Sequence, residues 1–517
     1  MPLLTFRPYL QTFSLALLLA GSLAGAPAAG GDPATAGTAA DRPAPTPSSA
    51  PEPGAGAGPT VDRVPLRQPR LLPRPGTPAP TTPPPLTAPH RGDLDPTFGT
   101  RGVTLTGFPD RAVGASSVVT LPDGSLVAGG GDIDAGSADF LLTRYHCDGT
   151  LDRRFGTAGR VTTPMPGQGG GVQGLSADRQ RRIVAAGTAS LGTGDQIGFA
   201  LVRYLPDGRP DPRFGTAGRV IQQIGPVGNA GASAVLVQPD KKIVVAGGAT
   251  DADGNAVFAA ARFRTDGRLD PTFGDGGATL VLIPGGDASA FAVTRQRDGK
   301  IVLAGAAIGP GVVGQQFALV RLTTVGRPDP TFGGDGIVTA QNVPSQGQGG
   351  ATDVAVDADG TILAGGLGQT ATGRGEFGLM RFRPDGTLDP TFGDGTGKVL
   401  TEFEGGSVIR RVLLRPRGRI VAVGAAGQPS TVALAGYLRN GDLDPSFGDD
   451  GRTTTAVGAL SAGLGGTVQF DRIVVAGASG NDSLTEGRFL LARYLDGRAA
   501  HCPRRACERT PSTYGLG

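Results

Sequence analysis

A short motif recurs seven times along this 517-residue chain at a nearly constant interval. One copy ends in Leu269-Asp270-Pro271-Thr272-Phe273-Gly274. The phenylalanines that close the seven copies are Phe98, Phe155, Phe214, Phe273, Phe332, Phe392 and Phe447, and they lie 55 to 60 residues apart. An interval this regular predicts a repeat architecture in which each copy forms one structural unit.

Each unit contains four short β-prone runs, which we label a to d. In the second unit they are 160–163, 172–178, 182–187 and 199–204, separated by Gly, Asp and Pro. This spacing predicts four antiparallel strands. Run c, for example Ile243-Val244-Val245-Ala246, is apolar on both faces of a strand, so it needs cover on both sides. The sequence therefore predicts an all-β protein, a seven-bladed β-propeller built from seven repeats of roughly 58 residues over 92–498. Where each blade begins stays open. If the blades are offset from the repeats, the last strand is expected to complete the first blade and close the ring.

The connector between run d and the next run a is the most uniform part of the repeat. Its Phe is expected to fill the space between neighbouring blades. A residue present in every blade serves every blade, so we interpret the repeated Asp and Arg as structural partners joined by charge-assisted hydrogen bonds. The aspartates are Asp95, Asp152, Asp211, Asp270, Asp329, Asp389 and Asp444; the arginines are Arg144, Arg203, Arg262, Arg321, Arg381 and Arg493. The sixth unit has Gly436 in place of the arginine.

These motifs together resemble those of the delta-60 repeat family of bacterial β-propeller proteins. The resemblance rests on an Asp-Gly-Lys-Ile-Val-Val-Ala-Gly-like run, then Phe-Ala-Leu-Val-Arg-Tyr, then Asp-Gly-x-Leu-Asp-Pro-x-Phe-Gly. It covers all seven units, about four-fifths of the chain. It implies an exported propeller and supplies no catalytic residues.

The N-terminal region differs from the repeats in composition. Residues 1–28 contain Arg7, the apolar run 13–20 and an Ala-Gly-Ala or Ala-Pro-Ala cleavage site, which predict a signal peptide. An uncleaved N-terminal anchor is the alternative. Residues 29–91 are rich in Pro and Ala, which predicts a disordered linker, either a leader or a spacer. Residues 499–517 form a basic tail. We expect a secreted or cell-surface protein with no membrane span in the mature chain.

The rest of the composition narrows the classes of function. A net charge of +3 without a long basic run argues against nucleic acid as a partner. We expect a monomer whose partner is a protein or a cell-envelope polymer. Of the three cysteines, Cys502 and Cys507 are close enough to pair after export, and Cys147 is then expected to be an idle buried thiol.

Residues typical of catalysis or metal binding are few. The histidines are His90, His146 and His501, and no nucleophile motif accompanies them. The segment Asp251-Ala252-Asp253-Gly254-Asn255 resembles the start of a calcium loop but lacks the later Glu, so an ordinary turn explains it as well. The sequence thus predicts no catalytic, cofactor-binding or metal-binding residues, and no enzyme.

Blade-specific sequence is confined to two sets of loops. They are the a–b gaps, such as 163–171 and 341–350, and the c–d gaps, such as 188–198, 249–257, 306–316 and 367–376. In an antiparallel meander the a–b and c–d loops emerge at one end, which we name the variable face. The b–c turns and d–a connectors emerge at the other, the repeat face. Recognition usually involves variable loops, which favours a binding or scaffolding module. The alternative is an exported hydrolase or lyase that acts on a glycan with channel carboxylates; its candidates are Asp132, Asp287, Asp353, Glu376 and Glu486. A purely structural surface protein is a third reading.

Overall fold

Seven four-stranded antiparallel sheets make up the part of the chain described in the computed structural model. That part is 90–497 without 134–136, 168–169, 193, 195, 309–313, 342–348 and 483–484. The predicted signal peptide, the tail and the linker up to residue 89 lie outside it. The only helical segments in the described ranges are single turns, Gly393–Gly397 and Pro416–Gly418. The prediction of an all-β propeller with seven blades is confirmed.

The strands of the seven sheets are numbered along the chain, and each sheet is one blade. Blade 1 contains β2 (Val113–Thr120), β3 (Leu126–Asp132), β4 (Phe140–Tyr145) and β5 (Arg160–Thr163). Blade 2 contains β6 (Gly171–Ala177), β7 (Ile183–Ser190), β8 (Ile197–Tyr204) and β9 (Arg219–Gln222). Blade 3 contains β10 (Ala230–Val237), β11 (Ile243–Thr250), β12 (Ala256–Phe263) and β13 (Ala278–Val281). Blade 4 contains β14 (Ala288–Arg295), β15 (Ile301–Ile308), β16 (Gln315–Leu322) and β17 (Ile337–Ala340). Blade 5 contains β18 (Gly350–Val356), β19 (Ile362–Gln369), β20 (Gly375–Phe382) and β21 (Lys398–Thr401). Blade 6 contains β22 (Ser407–Arg415), β23 (Arg419–Ala426), β24 (Thr431–Tyr437) and β25 (Arg452–Thr455). Blade 7 contains β26 (Leu460–Gln469), β27 (Arg472–Gly480), β28 (Arg488–Leu495) and β1 (Val103–Thr106).

Blades are offset from the sequence units by one strand. Each blade combines runs b, c and d of one unit with run a of the next, because run a folds back on run d across the connector. At the end of the ring, β1 pairs with β28, with Val103 opposite Ala492 and Thr106 opposite Phe489. The sequence had suggested that under such an offset the last strand would complete the first blade. That suggestion is wrong: the first strand completes the last blade.

The first strand of each blade lies nearest the propeller axis. Successive first strands, such as β10 and β14 or β14 and β18, contact each other around the ring. In all seven, the pairing with the second strand shifts by one residue near the middle, which marks a β-bulge. A ring of seven bulges therefore surrounds the axial channel.

Apolar residues pack between the blades. Seven clusters of buried side chains are found among the described residues, and each draws its members from two adjacent blades. All eight residues of β11 and of β12 are buried, as expected for strands covered on both faces. Phe273 is fully buried in the cluster between blades 3 and 4. Gly326 of the next connector lies against it with a φ of 83°, and a Cβ there would come within 2.7 Å of the Phe273 ring.

Candidate functional site

On the repeat face, one arrangement of Arg, Asp and Phe recurs between the blades. In blade 3, Arg262 Nε donates to Asp270 Oδ2 at 2.8 Å, and the guanidinium carbon lies 4.7 Å from the centre of the Phe273 ring. The same Arg–Asp pair is present at 2.7 to 3.0 Å, and the same Arg–Phe contact at 4.6 to 4.7 Å, for Arg203, Arg321, Arg381 and Arg493. In the first unit, Arg144 Nε is 3.6 Å from Asp152. Because these side chains are largely buried, the repeated pairs belong to the framework.

The same arginines also join each blade to the next. Arg262 Nη1 donates to the carbonyl oxygen of Thr324 in the following unit at 2.7 Å, and Arg144 Nη1 donates to that of Pro206 at 2.9 Å. Equivalent bonds link Arg203 to Thr265, Arg321 to Pro384, Arg381 to Arg439 and Arg493 to Cys147. The predicted hydrogen bond between the repeated Arg and Asp is confirmed for Arg203, Arg262, Arg321, Arg381 and Arg493. The bonds to the carbonyl oxygens hold neighbouring blades together at the repeat face.

In the sixth unit, which lacks this arginine, an arginine from another part of the chain contacts the Asp and the Phe. At Gly436 a Cβ would lie 2.6 Å from Phe447, so no longer side chain fits there. Instead Arg91, from before the first strand, forms an ion pair with Asp444 at 2.5 Å and lies 5.6 Å from the centre of the Phe447 ring. Its carbonyl oxygen accepts a bond from Gly448 N at 2.6 Å. Arg91 is the last residue of the predicted linker, yet it completes the framework of blade 6.

The recurring pair leads to a stability prediction for Arg262→Ala. The variant leaves the buried Asp270 without its arginine, but Lys242 still lies 2.8 Å from that carboxylate. We therefore expect the free energy of unfolding to fall by about 2 kcal/mol, less than the 3–5 kcal/mol typical of a buried charge left alone. Denaturant titration measures the change. Arg268→Ala, an exposed residue of the same connector, is the matched control, and equal stability of both variants would contradict a structural role.

The five carboxylates proposed from the sequence make no hydrogen bond or ion pair with one another in the described ranges. Asp132 and Glu486 are near the variable face, and Asp132 forms an ion pair with Arg111 at 2.5 Å. The same arginine lies 3.0 Å from Asp139. Asp287 Oδ1 accepts from Ala256 N at 3.2 Å. Glu486 is exposed in a turn. Among the described residues, none of these three makes an ion pair or a hydrogen bond with another of the five candidates.

The remaining two proposed carboxylates are buried and fully engaged. Asp353 in β18 accepts from Val412 N at 2.7 Å and from Arg411 Nη1 at 3.1 Å. Burial raises the pKa of Asp353 above its usual range, although the charge of Arg411 opposes this. Glu376 is 0% exposed and accepts from Phe403 N and Ser407 Oγ, each at 3.0 Å, and from Arg374 Nε at 2.5 Å.

Register shows how far apart these two carboxylates are. Asp353 is opposite Gly365 and Glu376 is opposite Gly368 on the shared strand β19. Three residues along a strand and two strand spacings across separate their Cα atoms by roughly 14 Å. A general acid–base pair for glycan cleavage needs carboxyl groups about 5–10 Å apart. The structure therefore does not bring Asp353 and Glu376 together as such a pair.

The proposed turn and histidines also find structural partners. Asp251 Oδ1 accepts from Asp253 N at 3.0 Å and from Asn255 N at 2.8 Å, which is the pattern of an Asx turn. His146 is half exposed and lies 3.9 Å from Asp152. In the described ranges no three His, Cys, Asp or Glu side chains are grouped to hold a metal ion.

The interpretation of Cys147 needs correction. This residue is buried and is disulfide-bonded, whereas the sequence suggested an idle thiol. Its partner, and the suggested pairing of Cys502 with Cys507, lie outside the described residues. Separation along the chain does not identify which cysteines pair, because a disulfide depends on the distance between their Cα atoms in the folded protein.

A cleft of about 500 Å³ lies on the repeat face between blades 4 and 5. Its walls include Asp298 and Arg321 from blade 4, and Asp357, Asp359 and Pro384 from blade 5. The lining is rich in charges of both signs. The sequence had directed attention to the opposite face, and two adjacent connectors give no local signal that a groove forms between them.

Comparisons with known proteins agree with the propeller architecture. Five segments match the family model described as "Domain of unknown function (DUF5122) beta-propeller": 121–155, 181–214, 238–273, 296–332 and 358–392. These repeats are consistent with a propeller repeat family. The delta-60 name itself stays a prediction. No curated protein matches the sequence.

Solved structures with similar folds are distant in sequence. A protein of unknown function from Dyadobacter fermentans is 12% identical, with a TM-score of 0.39, over 77% of this chain and 100% of that one. Polysaccharide lyase Uly1 is 10% identical, with a TM-score of 0.41, over 74% and 90% of the two chains. An α-L-arabinofuranosidase of Fusarium graminearum is 10% identical, with a TM-score of 0.38, over 62% and 92%.

Two of these similar proteins are named as enzymes, and this corrects the prediction that the chain is not an enzyme. That prediction rested on the scarcity of residues typical of catalysis, and it is wrong as it was stated. The likeness itself assigns no activity to this chain. Among the described residues, no helix has the length and apolar character required to span a membrane.

Proposed function

We propose that this chain is an exported binding module that recognises a cell-envelope polymer or protein through its variable face. One observation supports this most directly: the two faces differ in how uniform they are. On the repeat face, five units share one Arg–Asp–Phe arrangement at nearly constant distances. On the variable face the polar contacts differ from unit to unit. Ligand selection needs such unit-specific chemistry, whereas blade cohesion needs uniformity.

Three clusters illustrate this difference on the variable face. Arg111 binds Asp132 and Asp139 in the first unit. In the third unit, Asp251 closes a turn with its own backbone. Near the fifth unit, Arg374 binds both Glu376 and the exposed Glu402. Because the clusters differ in charge and shape, a ligand that covers several blades meets a surface found nowhere else on the molecule.

Two features support export. The signal-like segment 1–28 is one of them. The other is the disulfide at Cys147, since disulfides persist mainly in oxidising compartments. A secreted or cell-surface location is therefore part of the proposal.

The c–d loops that define this face are shorter than the sequence indicated. Segments 249–257 and 367–376 were expected as gaps, but β11 extends to Thr250, β12 begins at Ala256, β19 extends to Gln369 and β20 begins at Gly375. The free segments are thus 251–255 and 370–374. A useful variant must spare Arg374, because it holds the buried Glu376.

We expect a variant of four exposed positions on the variable face to lose binding. The changes are Gln223→Ser, Val227→Ser, Asp253→Ser and Leu282→Ser, all at exposed side chains around blade 3. Isolated cell envelopes of the source organism are the probe, and co-sedimentation measures binding. The wild type should sediment with the envelopes and the variant should remain in the supernatant with unchanged thermal stability.

The matched control changes four exposed positions on the repeat face: Arg213→Ser, Arg264→Ser, Arg268→Ser and Val325→Ser. It should bind like the wild type. If the control loses binding and the variable-face variant keeps it, recognition takes place on the repeat face and the proposal is wrong. Turnover of envelope glycan by the purified protein would instead favour the glycan hydrolase or lyase, and Asp353→Asn and Glu376→Gln would then identify any contribution of those carboxylates.

A further inference from the structure

Among the described residues, the first strand of blade 6 contains an arginine whose Nε is buried and has no hydrogen-bond partner. Arg410 is the bulged residue of β22, the first strand of blade 6: Ile409 pairs with Gly424 and Arg411 with Val423, so position 410 is left over. Its Nε is buried and makes no hydrogen bond to the described residues. A buried donor without an acceptor is rare in native proteins and costs about 1–3 kcal/mol.

Equivalent residues show where the bulge places a side chain. Ser116, the bulged residue of blade 1, donates to the carbonyl oxygen of Val172 on the first strand of blade 2. Thr352, the bulged residue of blade 5, donates in the same way to Ile409 of blade 6 at 2.6 Å. Short side chains thus end at the junction of neighbouring first strands. The longer side chain of Arg410 starts from the same place, so we infer that it continues along the channel wall.

The surroundings offer no negative charge to Arg410. The nearest acidic residue by topology is Asp353, and its two oxygens are bound by Arg411 Nη1 at 3.1 Å and Val412 N at 2.7 Å. It is the only carboxylate on the seven first strands. The other six bulged residues are neutral: Ser116, Gln173, Ser233, Phe291, Thr352 and Leu464. One uncompensated positive charge therefore remains at this level of the channel.

The neighbouring first strand, β26 of blade 7, consists largely of small residues near its bulge. At the level where the bulge of blade 6 faces it, β26 has Gly463, Gly465 and Gly466 around its own bulge. A Cβ on Gly466 would lie 3.5 Å from the Arg411 side chain, which is an ordinary van der Waals contact, so β26 packs against the strand that carries the two arginines. Burial lowers the pKa of Arg410 to about 10, yet the group stays protonated at neutral pH.

We propose that Arg410 forms an anion-binding site in the axial channel, which accepts a carboxylate or another oxyanion. A guanidinium binds such groups through two parallel N–H donors, and its orphaned Nε–H supplies one of them. The site is separate from the variable face, so a failure to bind anions would not contradict the proposed function. An acidic sugar and a free inorganic anion share this chemistry.

Titration calorimetry at constant ionic strength distinguishes these sources. The probes are glucuronate, acetate, sulfate and inorganic phosphate, with neutral glucose as the negative control. We expect at least one of the anions to bind and glucose not to bind. Tighter binding of glucuronate than of acetate identifies a sugar acid as the ligand, and preference for sulfate or phosphate identifies a free oxyanion.

The decisive variant is Arg410→Gln, which keeps polar character and removes the charge. It should lower affinity for the bound anion at least tenfold, and Arg410→Lys should give an intermediate value because charge remains without the fork of donors. Arg264→Gln, an exposed arginine on the repeat face, should bind as the wild type does. Unchanged affinity in Arg410→Gln, or no anion binding by the wild type, overturns the proposal. If Arg410→Gln does not fold, Arg410→Lys decides, because wild-type affinity in that variant also contradicts the site.

Discussion

Replacing Arg91 by Ala is expected to lower the free energy of unfolding by about 3–5 kcal/mol, the cost of a buried charge that loses its partner. Arg91 holds two carboxylates that are nearly inaccessible, Asp444 at 2.5 Å and Asp496 at 2.7 Å. Asp496 keeps Arg415 as a partner, but Arg91 provides the only ion pair recorded for Asp444 in the described part of the chain. Arg262→Ala should cost less, because Lys242 remains on Asp270.

Guanidinium titration followed by circular dichroism measures this change. Arg101→Ala, an exposed residue just before the same first strand, is the control and should leave stability within about 0.5 kcal/mol of the wild type. An Arg91→Ala protein as stable as this control would show that the segment before β1 does not help close the ring. Because Arg91 replaces an arginine that blade 6 lacks, a second variant, Gly436→Arg in the Arg91→Ala background, should not restore stability: Phe447 occupies the space beside position 436.

Acidification is expected to remove several kcal/mol of stability below about pH 4. Burial raises the pKa of Asp270, but hydrogen bonds from Lys242 and Thr272 and the charge of Arg262 outweigh it, so the pKa lies well below its usual range. The pKa of Asp329 is lowered in the same way, because hydrogen bonds from Lys300 and Thr331 and the charge of Arg321 outweigh the effect of burial. The pKa values of Asp95, Asp389 and Asp444 are also lowered.

The sign of the effect follows from these directions. A carboxylate whose pKa is lower in the folded protein contributes stability that is complete above the unfolded value, about 3.9, and is lost as the pH falls toward the folded value. Thermal unfolding between pH 7 and pH 2.5 measures it. Asp270→Asn should be less stable than the wild type at pH 7 and should lose less on acidification. Equal losses in both proteins would contradict a role for this pair in acid sensitivity.

The sequence by itself predicted the repeated parts of this protein well. Strand c reads as apolar on both faces because it is covered on both faces, and the count of seven closing phenylalanines equals the count of blades. The Arg–Asp pairing could also be predicted, since residues that recur in every unit have to serve contacts that recur in every unit. These are properties of a local pattern repeated at a fixed interval, and such a pattern is visible without the fold.

Only the tertiary structure decided what happens where the repetition breaks. Arg91 and Gly436 lie 345 positions apart in the sequence, and ring closure alone brings the arginine to the blade that lacks one. The separation of Asp353 from Glu376 likewise depends on strand register within blade 5, and the bulge at Arg410 depends on the pairing of β22 with β23. A linear pattern fixes which face of a strand is apolar, but the partners of a single side chain depend on contacts between blades, and closure of the ring sets those contacts.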